Sequence, residues 1–476
     1  MLIYFKVSNF KSILDQVCLN MLAVSADNSI KQNLSNVTVN NSSVNVNRTS
    51  VIMGANGSGK SSVIDALKFV KEIALRRKGN KKEDNYIPRN RLASKDMAST
   101  FEVCFSPVDA YIDGDPLYIY SLRVEPDGIT KEKIIQVKGN DLELNEILNE
   151  EFSPIDNYEE DYNYLNVDWK KERKYFSEFQ SPEVYAKTVA FFKDLVFFNS
   201  IDNDINIYFN SNMSRKTLKK IEEKDKNLWS LCWMDYHGDQ KKFKKNLISL
   251  LNEFGINVID LGAECLGTEK VHNLELDSGE DSSYVSSNDF NTSVDRLEQN
   301  FLPDDEDEDS SDVADYDPRD YVDVDVLCLD TLIYKDYSVP IPYESSGTKR
   351  LVKFAFRLAR CISSYDDFTL IIDELDAGLH EALPSEIIKQ FLELTSCDSQ
   401  LIAITHSTAL LREGLLRRDE IWFSEMKDNR TTELYSLSDL KGVKSSEDFA
   451  ENYLCGKYGA LPPKKEWLSN KEDSNE

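Results

Sequence analysis

The chain has 476 residues and a formal net charge of −28, from 84 Asp and Glu against 56 Lys and Arg. That excess argues against tight, sequence-independent DNA binding over the whole surface, because such binding is carried by cations that neutralise phosphates. Hydrophobic residues at 41% and charged residues at 29% are globular proportions, and eight scattered cysteines with no CxxC spacing, beside four histidines, point to reduced thiols rather than a disulfide or zinc framework.

The first residues, Met1-Leu2-Ile3-Tyr4-Phe5-Lys6-Val7, alternate like a strand and lack the apolar core of a signal peptide. No apolar stretch approaches the roughly 20 residues that span a bilayer. A cytoplasmic protein with no membrane partner is expected. Val51-Ile52-Met53 is a short apolar strand, followed by the glycine-rich turn Gly54–Gly59. Ile64, Leu67, Val70 and Ala74 then recur at helical spacing, and Arg76, Arg77, Lys78 and Gly79 supply the cations and glycine that end a helix. Alternating runs over Ser99–Phe105, Leu117–Val124 and Lys131–Val137 predict antiparallel strands.

From about residue 140 to 260 the chain is rich in Tyr, Phe, Lys and Glu and reads mainly as helix, for example over Lys242–Phe254. Ser278–Asp325 is Ser-, Asp- and Asn-rich, and Asp304–Asp325 holds 12 acidic residues against one basic residue, Arg319. A flexible acidic segment is expected there. From Val326 the pattern is ordered again. A helix is predicted over Ser346–Ile362, with Leu351, Phe354, Ala355, Leu358 and Ile362 on one face. Phe368–Ile372 and Leu401–Ile404 read as buried parallel strands, and Glu381–Leu394 as the helix between them, which makes a βαβ unit. Asn470–Glu476 is polar and expected to fray.

Gly54-Ala55-Asn56-Gly57-Ser58-Gly59-Lys60-Ser61 matches the phosphate-binding pattern GxxxxGK[ST] between a predicted strand and helix. Glycines let backbone N–H groups curl around phosphate oxygens, and the helix N-terminus adds favourable partial charge. In that reading Lys60 reaches the β- and γ-phosphates and Ser61 ligates Mg²⁺. Phe368–Ile372 ends in Asp373-Glu374, where the first carboxylate can hold the Mg²⁺ shell and the second can polarise an attacking water. His406 follows the next strand, where a side chain can sense the γ-phosphate. Glu344-Ser345-Ser346-Gly347-Thr348-Lys349-Arg350 opens the helix upstream and is by itself an ordinary Ser-rich N-cap.

In that order the motifs resemble those of ABC-type ATPases, whose signature motif occupies the place of Glu344–Arg350. Ser8-Asn9-Phe10-Lys11-Ser12 resembles the opening of many SMC-like and RecF-like ATPases. Asp373-Glu374-Leu375-Asp376-Ala377-Gly378-Leu379-His380 looks like the corresponding segment of the prokaryotic AAA-15/AAA-21 group, which includes the overcoming-lysogenisation-defect proteins. Tyr453-Leu454-Cys455-Gly456-Lys457-Tyr458-Gly459-Ala460-Leu461-Pro462 resembles the C-terminal segment of RloA-like members. Ser346 stands where the transporter form of the signature has glycine, and no Q-loop glutamine is identifiable.

The resemblance implies an α/β fold: an ABC-type P-loop ATPase domain with an antiparallel β subdomain and a mainly helical insertion. The expected parts are residues 1–140 and 326–463 for the ATPase domain, 141–262 for the insertion, 263–325 for the acidic segment and 464–476 for a frayed tail. It further implies that Gly54, Asn56, Gly57, Ser58, Gly59, Lys60, Ser61 and Ser62 bind ATP, that Ser61 and Asp373 hold Mg²⁺, and that Glu374 is the general base with His406 as the switch residue. Ser345 and Gly347 then contact the nucleotide of an opposing copy, and Asp376 lies at that interface, so a homodimer or higher even oligomer is expected. Lys60 and Asp373 stand 313 positions apart (373 − 60), which leaves room for the insertion. Seventy residues follow His406 (476 − 406), too few for the nuclease domain fused to overcoming-lysogenisation-defect proteins. A separate nuclease or toxin-like effector is therefore expected, in anti-phage defence. DNA repair or processing of the RecF/SMC kind is the alternative, and nucleic acid is a further candidate partner. The basic runs Arg76–Arg91 and Lys241–Lys245 fit either solvated helix faces or a local binding surface.

Overall fold

The computed structural model describes residues 1–24, 30–39, 42–75, 88–94, 96–107, 117–125, 128–137, 182–198, 206–214, 240–265, 321–364, 367–412, 414–444 and 447–462. In chain order the elements begin with β1 (Leu2–Ser8), β2 (Val17–Asn20), β3 (Leu34–Val39), β4 (Ser42–Asn47), β5 (Thr49–Met53) and α1 (Lys60–Ala74). Next come β6 (Ser99–Phe105), β7 (Leu117–Glu125), β8 (Gly128–Val137), α2 (Pro182–Asp194) and β9 (Leu195–Phe198). The middle of the chain supplies β10 (Asn206–Ser214), α3 (Gln240–Glu253), β11 (Asp260–Cys265), β12 (Tyr321–Ile333), β13 (Ser338–Pro340) and α4 (Ser346–Ser364). The last elements are β14 (Thr369–Ile372), α5 (Leu383–Leu394), β15 (Gln400–Ile404), β16 (Ile421–Met426), β17 (Thr432–Ser436) and α6 (Phe449–Leu454).

They form two compact units, one from Met1–Ser200 with Asp366–Glu476 and the other from Ile201–Tyr365. Beside the antiparallel hairpin β3-β4, the first unit holds two large sheets. One is antiparallel, in the order β2-β1-β6-β7-β8. The other runs β17-β16-β5-β15-β14-β9 and is parallel except for the β16–β17 pair. Every residue of β5, β14 and β15 is buried, which is why Val51–Met53, Leu370–Ile372 and Leu401–Ile404 read as unbroken apolar runs rather than alternating ones. The fully buried Gln400 ties the sheets together: its Oε1 accepts from the Leu2 amide at 2.6 Å, and its Nε2 donates to the carbonyls of Leu2 at 2.9 Å and Asn47 at 3.1 Å. Helix α1 buries Val63, Ile64, Ala66, Leu67, Val70 and Ile73 in the same core as Leu2, Phe5, Phe101, Ile371 and Ile404. Burial of each large side chain there is worth about 1.5–3 kcal/mol. The C-terminus of α5 is closed by Arg48, whose guanidinium donates to the carbonyls of Leu392 (3.2 Å), Thr395 (3.3 Å) and Ser396 (2.8 Å), a cation at the negative end of a helix.

The second unit holds the antiparallel sheet β10-β12-β11, with β13 also on β12. Its helices α3 and α4 meet through Phe243 and Phe356, edge to face at 5.4 Å, through Phe254 and Phe354 at 5.8 Å, and through Asn246 and Ser363 at 3.1 Å.

The boundaries differ from the expected ones in three places. Leu195–Phe198, within the span read as a helical insertion, pairs in parallel with β14 and forms the edge of the large sheet. β12 begins at Tyr321, inside the stretch read as acidic and flexible. Helix α4, expected in the ATPase domain, falls in the second unit. The expected helix end at Arg76–Gly79, most of the acidic stretch and the tail Asn470–Glu476 lie outside the described residues. Among the described residues no helix is long and apolar enough to cross a membrane.

Candidate functional site

The parallel strands deliver three chain segments to one edge of the large sheet, at their carboxyl ends. This is where open α/β sheets bind ligands. β15 lies between β5 and β14, with Ile404 level with Ile52 and Ala403 level with Ile372. The residues that follow, Gly54, Asp373 and Thr405-His406, therefore emerge side by side.

The turn after β5 has positive φ at Gly54 (150°), Gly57 (76°) and Gly59 (100°). At Gly59 a Cβ would collide with the Thr432 hydroxyl and press on that of Ser12, so backbone angle and space both exclude a larger residue. Around Gly57 there is open space, and both it and Asn56 are exposed. At the start of α1 the Ser62 amide bonds back to the Gly59 carbonyl at 3.0 Å, and the N-cap Gly59 has no side chain to cap the amides of the first turn. The loop thus presents donors and a helix N-terminus to an anion.

Lys60 is buried and donates from Nζ to the carbonyls of Gly54 at 2.9 Å and Ala55 at 2.8 Å. Burial lowers its pKa, while Asp373, Asp376 and Glu374 work to raise it. The Ser61 hydroxyl lies 3.3 Å from Asp373 Oδ1 across 312 residues of sequence. Burial raises the Asp373 pKa, and the neighbouring carboxylates of Glu374 and Asp65 add to the rise against the Ser61 hydrogen bond. A hydroxyl and a carboxylate at this separation are the hard oxygen donors that Mg²⁺ prefers, and the accumulated negative charge suits a cation. Among the described residues no three His, Cys, Asp or Glu gather to hold a metal unaided.

Glu374 is exposed and has φ of 55°, an uncommon backbone for a non-glycine residue. Its neighbour Leu375 is fixed by a hydrogen bond that its backbone N–H donates to the Ile404 carbonyl at 2.7 Å. Asp376 Oδ1 accepts from the Thr405 hydroxyl at 2.7 Å and from the His406 amide at 3.0 Å. His406 itself is exposed.

The structure therefore brings together Gly54–Ser61, Asp373, Glu374, Asp376 and His406 in one unit. Ser58 belongs to that loop and Ser62 to the first turn of α1, but their side chains are buried, and the Ser62 hydroxyl bonds to Ser12 at 2.8 Å. Ser345 and Gly347 are in the other unit, at the start of α4, where the Ser345 hydroxyl accepts from the Thr348 amide at 3.1 Å. Two supports escape a motif reading. The Thr432 hydroxyl sits 2.7 Å from Ser12 Oγ and 3.0 Å from the Ser58 carbonyl, beneath the loop. The Ala460 carbonyl accepts the Ala55 amide at 3.0 Å. Ser12 stood in the Asn9–Ser12 run and Ala460 in the C-terminal run, but neither residue type advertises such a role.

A parallel sheet with a P-loop, an acidic pair and a His segment at its carboxyl edge defines a P-loop ATPase. Residues 50–412 match the family described as "AAA domain, putative AbiEii toxin, Type IV TA system", and the chain belongs to that family. No curated protein matches it. Among solved structures it is similar to the SMC head bound to the C-winged helix domain of ScpA, at 16% identity and a TM-score of 0.41, over 91% of this chain and 97% of that one. It is also similar to the SMC head domain from Thermotoga maritima, at 13% identity and a TM-score of 0.38, over 91% of this chain and 98% of that one.

Proposed function

We propose that the chain binds Mg-ATP on the loop Gly54–Ser61 and hydrolyses it between two copies of itself, as the sensor or regulator subunit of a prokaryotic anti-phage defence system with a separate effector. The observation that carries the ATPase reading is the approach of Ser61 to Asp373, with Glu374 next in sequence. When bound, Mg²⁺ neutralises phosphate charge. Ser61 and Asp373 hold it, Lys60 leaves its two loop carbonyls for the β- and γ-phosphates, and Glu374 takes the proton of the attacking water. Asp376 relays the position of His406 to the loop that carries Glu374. Ser345 and Gly347 of the opposing copy complete the site. A general base exposed to solvent is consistent with a site that closes only on assembly.

A DNA-processing role is the second reading. It is favoured by α4, which carries Lys349, Arg350, Lys353, Arg357 and Arg360 and no carboxylate, on a chain of net charge −28. These five residues lie off the face buried through Leu351, Val352, Ala355, Leu358 and Ala359. Affinity capture of tagged Glu374→Gln from the native host with ATP, followed by mass spectrometry, separates the two. A stoichiometric nuclease or toxin-like protein supports the sensor reading. Nucleic acid with no stable protein partner refutes it in favour of DNA processing.

A further inference from the structure

The segment from α6 to Leu461 has no part in the chemistry above, yet it touches the loop that does it. After α6 the chain reverses through Gly456 (φ 83°) and Gly459 (φ 75°) and then places a non-glycine residue, Ala460, at φ 57°. The buried Ala460 carbonyl there receives two donors, the Ala55 amide at 3.0 Å and the Tyr453 hydroxyl at 3.2 Å. The turn is held from below. The Tyr435 hydroxyl donates to the Tyr458 carbonyl at 2.8 Å, and a Cβ at Gly459 would meet that hydroxyl at 2.6 Å. The Tyr453 ring stacks on Phe423 at 5.2 Å, and Phe423 pairs with Met53, the last residue before the loop.

We propose that Phe449–Leu461 is a brace that holds the phosphate-binding loop in its receiving shape, with the Ala460 carbonyl as its contact and Tyr453 and Tyr435 as positioning residues for nucleotide affinity. The inference rests on the reading of Gly54–Ser61 as an ATP site. The peptide of Ala55 is gripped on both sides: its N–H by Ala460, its carbonyl by Lys60 and by the Ser58 amide at 3.2 Å. Nucleotide draws Lys60 away; of the two contacts that remain, the Ser58 amide lies within the loop itself, and the Ala460 bond is the one that anchors Ala55 from outside it and keeps the N–H groups aimed inward. Its loss lets the empty loop sample other shapes, and apparent affinity falls by the fraction that remains competent. Turnover at saturating ATP is unaffected, because bound nucleotide restores the loop and the brace touches no reacting atom.

The left-handed backbone at Ala460 gives a test with opposite signs at one position. Glycine adopts that conformation freely, and a β-branched residue does so rarely. Equilibrium binding of ATP with Mg²⁺ and steady-state turnover are measured for wild type, Ala460→Gly, Ala460→Val, Tyr453→Phe and the control Lys60→Ala. Ala460→Gly binds at least as tightly as wild type. Ala460→Val weakens binding by about tenfold, and Tyr453→Phe, which keeps the ring stack and removes one hydrogen bond, by about two- to fivefold. Turnover at saturating ATP stays within about twofold of wild type for all three. Should Ala460→Val not fold, Tyr453→Phe decides alone. Wild-type affinity in Tyr453→Phe, or lost turnover with unchanged affinity, overturns the brace. Failure of the ATP-site reading looks different, since wild type then binds no ATP or Lys60→Ala binds as well as wild type.

Discussion

Glu420 makes a pH dependence of stability that can be worked from its surroundings. It is fully buried beside the strand that leads into the loop, with Oε1 against the Thr49 hydroxyl and Oε2 accepting from Asn33 Nδ2 at 2.8 Å and the Arg417 amide at 2.7 Å. Burial pushes its carboxyl up to about 8 from an ordinary 4.5, against the pull of those hydrogen bonds and with Asp419 adding to the rise. The folded chain keeps this proton to about pH 8, whereas the unfolded chain releases it near 4.5. Between those values unfolding releases a proton, so stability falls as pH rises. The contribution is whole below 4.5 and gone above about 8. At about 1.4 kcal/mol per pH unit the window amounts to about 5 kcal/mol. Glu420→Gln is a fixed copy of the protonated acid: its oxygen accepts from Asn33 and Arg417, and its NH₂ donates to Thr49. Urea unfolding of both proteins from pH 5 to 9 cancels every other titration. The two should be about equally stable at pH 5, and the glutamine protein more stable by about 3–5 kcal/mol at pH 9. A difference that does not change with pH would refute the reasoning.

The remaining predictions concern the site and one structural cation. Glu374→Gln keeps ATP binding and loses about 10²–10⁴ in turnover, checked by nucleotide binding beside phosphate release. Ser61→Ala raises the Mg²⁺ needed for half-maximal turnover by about tenfold or more, read from a Mg²⁺ titration, and chelation stops turnover in wild type. Arg48→Ala strips the cation from three carbonyls at the end of α5 and lowers unfolding free energy by about 2–4 kcal/mol, measured by denaturant titration.

The site was legible where chemistry forces a local pattern. Three glycines with positive φ before Lys60 and Ser61, and apolar strands ending in Asp373-Glu374 or leading into His406, carry their role in adjacent residues. Supports that act through backbone or across the fold left no such mark. The Ala460 carbonyl could belong to any residue type, and Ser12 and Thr432 meet across 420 residues. Leu195–Phe198 falls within a span that reads as helix, because a four-residue apolar run has no period of its own. In β12, a count of carboxylates hid the two-residue alternation of Val322, Val324 and Val326 with Asp323 and Asp325. Glu420 looked like one acid among 84, and only its partners Thr49 and Asn33, both from the other end of the chain, make it distinctive.

The place of β5 in the large sheet sets a clock on biosynthesis. Both its neighbours, β15 and β16, come from the far end of the chain. The interval from Met53 to Gln400 is 347 residues (400 − 53). At about 5–20 residues per second, translation takes roughly 20–70 s to supply the first of those partners. Throughout that time a five-residue strand with the apolar run Val51–Met53 has neither edge covered by its native neighbour, and such an edge is a template for pairing with other chains. The glycine-rich turn after β5 is synthesised well before β15 and β16, and its sheet setting is complete only once they arrive.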